Sequence, residues 1–235
     1  QRQMCIRDSK DLRKKPYRYL GNKQYEGMFL VGKQVNFDDP TKECLGQKEY
    51  SGKVINMVDQ VARFSEVGSK YGSVAELPST MADGEENSGI RLVKSPQPNL
   101  ADKQLRWNPD CPVIRLSEIY YMLAECELRA GHKKEAAELI NQVRARNFEN
   151  RNDPDPVTVD NLDEYRMLDE WMIEFLGEGR RRTDLIRWGA FTSESWWDHT
   201  PSNDRNMNRF PIPNSAISAN NLIKQNPGYG GAAEE

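Results

Sequence analysis

Residues 113–148 of this 235-residue chain, VIRLSEIYYMLAECELRAGHKKEAAELINQVRARNF, decide the fold. Apolar side chains recur there at the three- and four-residue spacing of α-helices, in two successive stripes. The stripes are Leu116, Ile119, Tyr120, Leu123 and Cys126, and then Ala136, Leu139, Ile140 and Val143. Between them, Gly131 suits the left-handed position just past a helix end. The stretch therefore predicts an antiparallel helical hairpin with a very short turn, and Cys126 within it is expected to be a small buried hydrophobe.

The hairpin also carries a repeat signature. Seven residues stand where a tetratricopeptide (TPR) repeat places its packing residues: Tyr120, Leu123, Ala124, Gly131, Ala136, Ile140 and Val143. Small side chains at Ala124 and Ala136 would let the two helices approach closely. The alternative is an ordinary helix pair. Since one repeat does not stand alone, its stacking partners are expected to be degenerate or to lie upstream.

Outward from the hairpin, residues 10–110 alternate short β-prone runs with Gly and Pro breakers, and residues 54–64 fit a strand or a short helix. Residues 161–189 predict two more helices, the second running from Arg180 to Trp188 before Gly189. The first of these has Asp160 or Asn161 as its expected cap. Its expected apolar stripe is Tyr165, Leu168, Met172, Phe175 and Leu176.

The two ends of the chain have no helical pattern. Residues 190–231 are expected to form an extended, turn-rich tail. Residues 1–9 have no apolar core of a signal peptide and are expected to be an extraneous leader. The remaining 10–231 are taken as one domain, and the predicted class is mostly α, with TPR-like hairpins, long irregular loops and few short strands.

The composition and charge of the chain exclude several classes of protein. The net charge is −3, from 33 basic and 36 acidic residues, which excludes a nucleic-acid protein that relies on a large basic excess. No apolar run approaches the roughly 20 residues that span a bilayer. The four cysteines, at positions 5, 44, 111 and 126, form no C-x-x-C pair. The two histidines, His132 and His199, are too few to build a zinc site with them, and no cofactor fingerprint is present. No metal or cofactor is expected.

Charged residues are densest in residues 174–188, EFLGEGRRRTDLIRW. Arg180 and Asp184, and Asp184 and Arg187, have the spacing of helical ion pairs. Two interpretations stay open for Glu174 and Glu178. They could be the carboxylate pair of a glycoside hydrolase, or they could belong to a structural ion network between helices, with Arg144 and Arg146 as further partners.

Tryptophans in predicted loops are the candidate binding residues. Trp196 and Trp197 lie in a polar loop, and Trp107 lies in a loop with proline and asparagine. A sugar ring has an apolar C–H face and a polar rim, so a flat aromatic ring beside polar groups suits it. Alternatively, these rings hold long loops onto the helices.

Four ordered motifs together resemble the SusD/RagB family. They are residues 113–125 (VIRLSEIYYMLAE), residues 140–146 (INQVRAR), the EF…EGR…DLIR pattern of residues 174–187, and an ending with PIP at 211–213 and QNPGY at 225–229. The resemblance implies that the charged and amide residues of these motifs are scaffold rather than ligand contacts. Those residues are Arg115, Glu118, Glu125, Asn141, Arg144, Arg146, Glu174, Glu178, Arg180, Asp184 and Arg187.

The resemblance further implies the C-terminal portion of a surface-exposed outer-membrane lipoprotein of Bacteroidetes-type nutrient uptake. Such proteins are not enzymes. They bind oligosaccharides, or sometimes peptides, and pass them to a TonB-dependent transporter of the SusC type. The lipid anchor and signal peptide would lie on an upstream part. The alternative function is a TPR-type scaffold that binds a protein partner.

Overall fold

The computed structural model describes residues 10–21, 24–36, 39–47, 51–57, 90–94, 113–195 and 200–230. Most of the regular structure in these residues is helical, with a few two- to four-residue strands, so the predicted class is confirmed. The α-helices are α1 Leu116–Arg129, α2 Lys133–Ala145, α3 Glu164–Glu174, α4 Arg181–Arg187 and α5 Asn214–Ala219. Short 3-10 helices occupy Leu12–Lys14, Glu149–Arg151 and Arg205–Asn208.

The described strands form three antiparallel pairs. Strand β1 Arg18–Gly21 pairs with β2 Gln24–Glu26, β3 Phe29–Leu30 with β6 Arg91–Leu92, and β4 Gly32–Lys33 with β5 Asn56–Met57. Residues 54–64 were predicted to form either a strand or a short helix. The strand is confirmed at β5, and residues 58–64 lie outside the described part of the chain.

The chain divides into two compact units, with the boundary between Leu162 and Asp163. The described part of the first unit covers residues 10–162 and contains the strands and the α1–α2 hairpin. The described part of the second covers residues 163–230 and contains α3, α4 and α5.

The hairpin in the first unit is the predicted one. Ala124 of α1 and Ala136 of α2 are both fully buried, as expected of small residues that let two helices approach. Tyr121 of α1 and Ile140 of α2 are also buried and are 1% and 0% exposed. Gly131 has φ +87°, the left-handed conformation expected just past the end of α1.

The apolar stripe that predicted α1 is not its buried face. Leu116, Ile119 and Leu123 are 71%, 47% and 48% exposed, and Cys126 is exposed rather than buried. The residues of α1 that are buried are Ser117, Tyr121, Ala124 and Glu125. Helix α1 is apolar on two sides, and α2 packs against the side with the small residue. Spacing alone does not tell the two sides apart.

This assignment of faces makes a direct prediction for truncations to alanine. Leu116→Ala in α1 should change the free energy of unfolding by no more than about 0.5 kcal/mol, because the side chain is already in water. Ile140→Ala in α2 should cost about 2–5 kcal/mol, because it opens a cavity in a closed core. Urea unfolding followed by circular dichroism measures both. Equal losses would contradict the assignment.

In the second unit, the start of α3 differs from the prediction. The N-cap is Asp163, whose Oδ1 accepts a hydrogen bond from the backbone N–H of Arg166 at 2.7 Å. Asp160 and Asn161 lie earlier, and the Asn161 Oδ1 accepts from the N–H of Thr158 at 2.7 Å in the preceding turn. The two candidates were wrong because several turn-forming polar residues precede α3, and each can accept a backbone hydrogen bond.

The buried side of α3 also differs in part. Leu168 is buried as expected, but Tyr165 is 51% exposed, so its place in the predicted stripe was wrong. Trp171 is completely buried and is the largest such side chain in the described residues. Helix α4 then ends, as predicted, before Gly189, which has φ +71°.

Candidate functional site

The centre of the second unit is an aromatic pair covered by guanidinium groups. The ring centroids of Trp171, in the last turn of α3, and Phe175, the residue just past its end, are 5.0 Å apart. The Arg180 guanidinium carbon lies 4.2 Å from the Trp171 centroid and 5.1 Å from that of Phe175. Arg187 of α4 lies 5.5 Å from the Trp171 ring. These cation–π contacts hold α4 and the turn before it against α3.

The expected ion pairs around Asp184 are formed. Its Oδ1 accepts from Arg187 Nη1 at 3.0 Å and from Arg180 Nη2 at 3.5 Å, and the side chain is 1% exposed. Asp184 therefore orients the two arginines that cover Trp171. Arg181 adds a second link between the helices, because its Nη1 donates to the Leu168 carbonyl oxygen at 2.7 Å.

The two carboxylates considered for glycoside hydrolysis lie in different surroundings. Glu174, at the end of α3, is only 2% exposed, whereas Glu178 is half-buried in the turn that follows. A hydrolase needs both carboxyl groups to reach the same glycosidic bond. The burial of Glu174 instead suits a role inside the fold.

In the first unit, two motif residues of α2 fix the chain that follows it. The Asn141 side-chain amide donates to the carbonyl oxygen of Val157 at 2.7 Å and accepts from the N–H of the same residue at 2.9 Å. Arg144 Nε donates to Asp153 Oδ2 at 2.7 Å, and its Nη2 donates to the Asp155 carbonyl oxygen at 2.9 Å. This partner differs from the helix-to-helix network expected for Arg144.

The other motif residues of the hairpin range from buried Glu125 to exposed Arg146. Glu125 accepts from Arg129 at 3.0 Å, one turn further along α1, and Arg115 donates to the Ser117 hydroxyl. Glu118 is half-buried and Arg146 is exposed. His132 is exposed in the turn, where its Nδ1 lies 2.7 Å from Glu127 Oε2.

The C-terminal motif forms a clamp of the same kind as Asn141. The Gln225 side chain donates to the Ile212 carbonyl oxygen at 2.9 Å and accepts from the Ile212 N–H at 2.8 Å. Asn226 Nδ2 donates to the Phe210 carbonyl oxygen at 2.8 Å, and the Tyr229 hydroxyl donates to that of Arg209 at 2.6 Å. The tail is thereby bound to the extended segment around Pro211.

None of the predicted binding tryptophans can be placed. Trp107, Trp196 and Trp197 lie outside the described residues, so their role stays a prediction. Two exposed aromatic side chains do lie in the described part of the chain. The sequence did not predict that either would be exposed at the surface. They are Tyr165, whose hydroxyl donates to Glu194 Oε1 at 3.2 Å, and Phe210, which is 70% exposed.

No group of three or more His, Cys, Asp or Glu side chains among the described residues is placed to hold a metal ion. No helix in those residues combines the length and apolarity needed to cross a bilayer.

Comparison with known proteins gives consistent matches. The SusD family model matches residues 46–229, more than half of the chain. "Starch-binding protein SusD" of Bacteroides thetaiotaomicron is 37% identical over 127 residues, which cover 51% of this chain and 22% of that protein. "SusD-like protein P38" of Formosa agariphila is 28% identical over 154 residues, 63% of this chain and 30% of its own length.

A solved structure is also similar. It is of a Bacteroides vulgatus protein described as a candidate sugar-binding protein, with a TM-score of 0.41 and 30% identity over 51% of this chain and 29% of that one. The chain thus covers less than a third of each of these three proteins.

Proposed function

Because the chain belongs to the SusD family, we propose that it is part of a protein that binds oligosaccharides without cleaving them. The observation that carries this proposal is the family match across residues 46–229, together with a 37% identical relative named for starch binding. Peptide is the second ligand class to be tested.

A non-catalytic role is consistent with the geometry of the charged motifs. Asp184, Arg180 and Arg187 are engaged with one another and with the Trp171 ring, and Glu174 is buried. Groups held in this way stabilise helix packing and have little freedom to protonate a leaving group. We assign these motif residues to the scaffold and reserve ligand contact for aromatic rings, among them the predicted binding residues Trp107, Trp196 and Trp197.

The proposal includes a cellular setting. The intact protein would be a surface-exposed lipoprotein of the outer membrane that hands its ligand to a SusC-like, TonB-dependent transporter. This setting comes from family membership. Its test is co-purification of the intact protein with such a transporter from outer membranes, lost when the lipid-anchored cysteine is replaced.

Calorimetry tests the binding function. The intact protein, titrated with maltoheptaose, cellohexaose, laminarihexaose and a tripeptide mixture, should give heat with at least one oligosaccharide. Chromatography of the mixture afterwards should show no shorter sugars. Heat with the peptides alone would contradict carbohydrate binding. Sugar cleavage that disappears in Glu178→Gln would contradict the non-catalytic assignment.

One observation favours a second candidate, the TPR-type interaction scaffold. The exposed side of α1 carries Leu116, Ile119 and Leu123 at helical spacing, a surface that fits the apolar face of an amphipathic helix. This candidate predicts no heat with any sugar in the same titrations. It also predicts that Ile119→Ser and Leu123→Ser remove helix binding without changing the fold.

A further inference from the structure

We infer that the outer face of Phe210 is a stacking platform for a pyranose ring of the bound oligosaccharide. The inference deepens the proposed glycan binding and rests on it. It starts from Phe210, a residue that is 70% exposed in the extended segment after the 3-10 helix Arg205–Asn208. Single exposed apolar residues are common, so the argument depends on how this ring is held.

The inner face of Phe210 is covered by a cation. The Arg182 guanidinium carbon lies 4.1 Å from the Phe210 centroid and 4.9 Å from that of Phe191. Its Nη2 also donates to the Met207 carbonyl oxygen at 2.8 Å, which fixes the guanidinium in place. The ring is therefore supported from one side and presents its other face and edge to water.

The backbone that carries the ring is fixed on both sides. The carbonyl oxygen of Phe210 accepts from Asn226 and that of Arg209 accepts from Tyr229, while Ile212 is held by Gln225 through both of its backbone groups. A ring fixed in advance loses little conformational entropy when a ligand stacks on it. This rigidity distinguishes Phe210 from an aromatic side chain that is merely exposed.

A pyranose ring fits this surface chemically. The C–H bonds of one sugar face are apolar and weakly positive, and the face of an aromatic ring is apolar and electron-rich. Stacking would remove both faces from water and leave the sugar hydroxyls at the rim hydrated. A flat ring is needed for this contact, and a branched aliphatic side chain of similar volume cannot provide it.

The test compares variants at Phe210 by calorimetry with maltoheptaose, cellohexaose and laminarihexaose. Phe210→Ala should bind the sugar recognised by the unsubstituted chain about tenfold more weakly, the effect expected of a central aromatic contact. Phe210→Tyr, which keeps the ring, should bind within about twofold of it. Leu222→Ala is the matched control, since Leu222 is 86% exposed and aliphatic, and it should leave the affinity unchanged.

Phe210→Leu keeps an apolar side chain at this position but removes the aromatic ring, so it shows whether affinity depends on stacking or only on apolar volume. It also gives a second variant in case Phe210→Ala does not fold. It should lose as much affinity as Phe210→Ala, while thermal unfolding of the two stays alike. If the unsubstituted chain binds a sugar and Phe210→Leu binds it equally well, the platform is overturned and glycan binding stands. If the intact, unsubstituted protein binds none of the three sugars, glycan binding fails and the platform fails with it.

Discussion

Trp171→Ala is expected to lower the free energy of unfolding by about 3–5 kcal/mol, the range for truncating a large aromatic side chain in a core. Trp171 is 0% exposed and carries two cation–π contacts, from Arg180 at 4.2 Å and Arg187 at 5.5 Å. Its removal opens a cavity and also takes away the surface on which both guanidinium groups lie. Urea unfolding followed by circular dichroism gives the loss.

Two controls show whether the effect belongs to the buried ring. Trp171→Phe keeps an aromatic face for Arg180 and should cost clearly less than the alanine variant. Tyr165→Ala removes an aromatic side chain from the same helix, but that side chain is 51% exposed, so its effect should be small. A loss below about 1 kcal/mol for Trp171→Ala would contradict the central role given to this ring.

Arg144→Met is expected to cost a comparable amount, about 3–5 kcal/mol, because it breaks a buried ion pair and leaves one charge behind. The Arg144 and Asp153 side chains are 7% and 9% exposed, with Nε and Oδ2 2.7 Å apart. Methionine keeps the unbranched part of the side chain out to about the position of Nε, so most of the cost arises from the Asp153 carboxylate and the Asp155 carbonyl oxygen that lose this donor. Chemical denaturation of the purified variant measures it.

A double-mutant cycle isolates the pair. Asp153→Asn alone should destabilise the protein. Adding it to Arg144→Met should cost less than the sum of the single losses, since the stranded charge is then absent, and a coupling of about 0.5–3 kcal/mol is expected for residues in contact. Strictly additive losses would show that Arg144 acts through its packing, for example against the Phe148 ring at 5.8 Å, and not through the ion pair.

Features that depend on neighbours along the chain could be predicted from the sequence. The helical period and Gly131 were enough to predict the hairpin, and the i,i+4 and i,i+3 spacing was enough for the pairs Arg180–Asp184 and Asp184–Arg187. These interactions are set by helix geometry, which the local sequence determines. The outward side of α1 was not predicted, because periodicity gives the position of an apolar stripe but not the partner that covers it.

Contacts across longer separations could not be predicted residue by residue. Arg144 was expected in an ion network with the helices that follow, but it pairs with Asp153 in the loop after α2. The placement of Arg182 beneath Phe210 joins residues 28 positions apart, and no local pattern indicates it. Both depend on where an irregular segment lies, and this is decided by side-chain amides and guanidinium groups that can form equally good bonds with many partners.

The clamps formed by Asn141 and Gln225 have a consequence for how this protein can diverge. Both amides bind main-chain atoms: Asn141 those of Val157, and Gln225 those of Ile212 and the N–H of Asn226. Recognition of this kind is indifferent to the side chains that the clamped segment carries. Two residues with side-chain amides can therefore keep the backbone path of a segment constant while substitutions change the side chains that it exposes. The fold can then be conserved while the ligand specificity changes. The same property makes these segments suitable sites for grafting new surface residues.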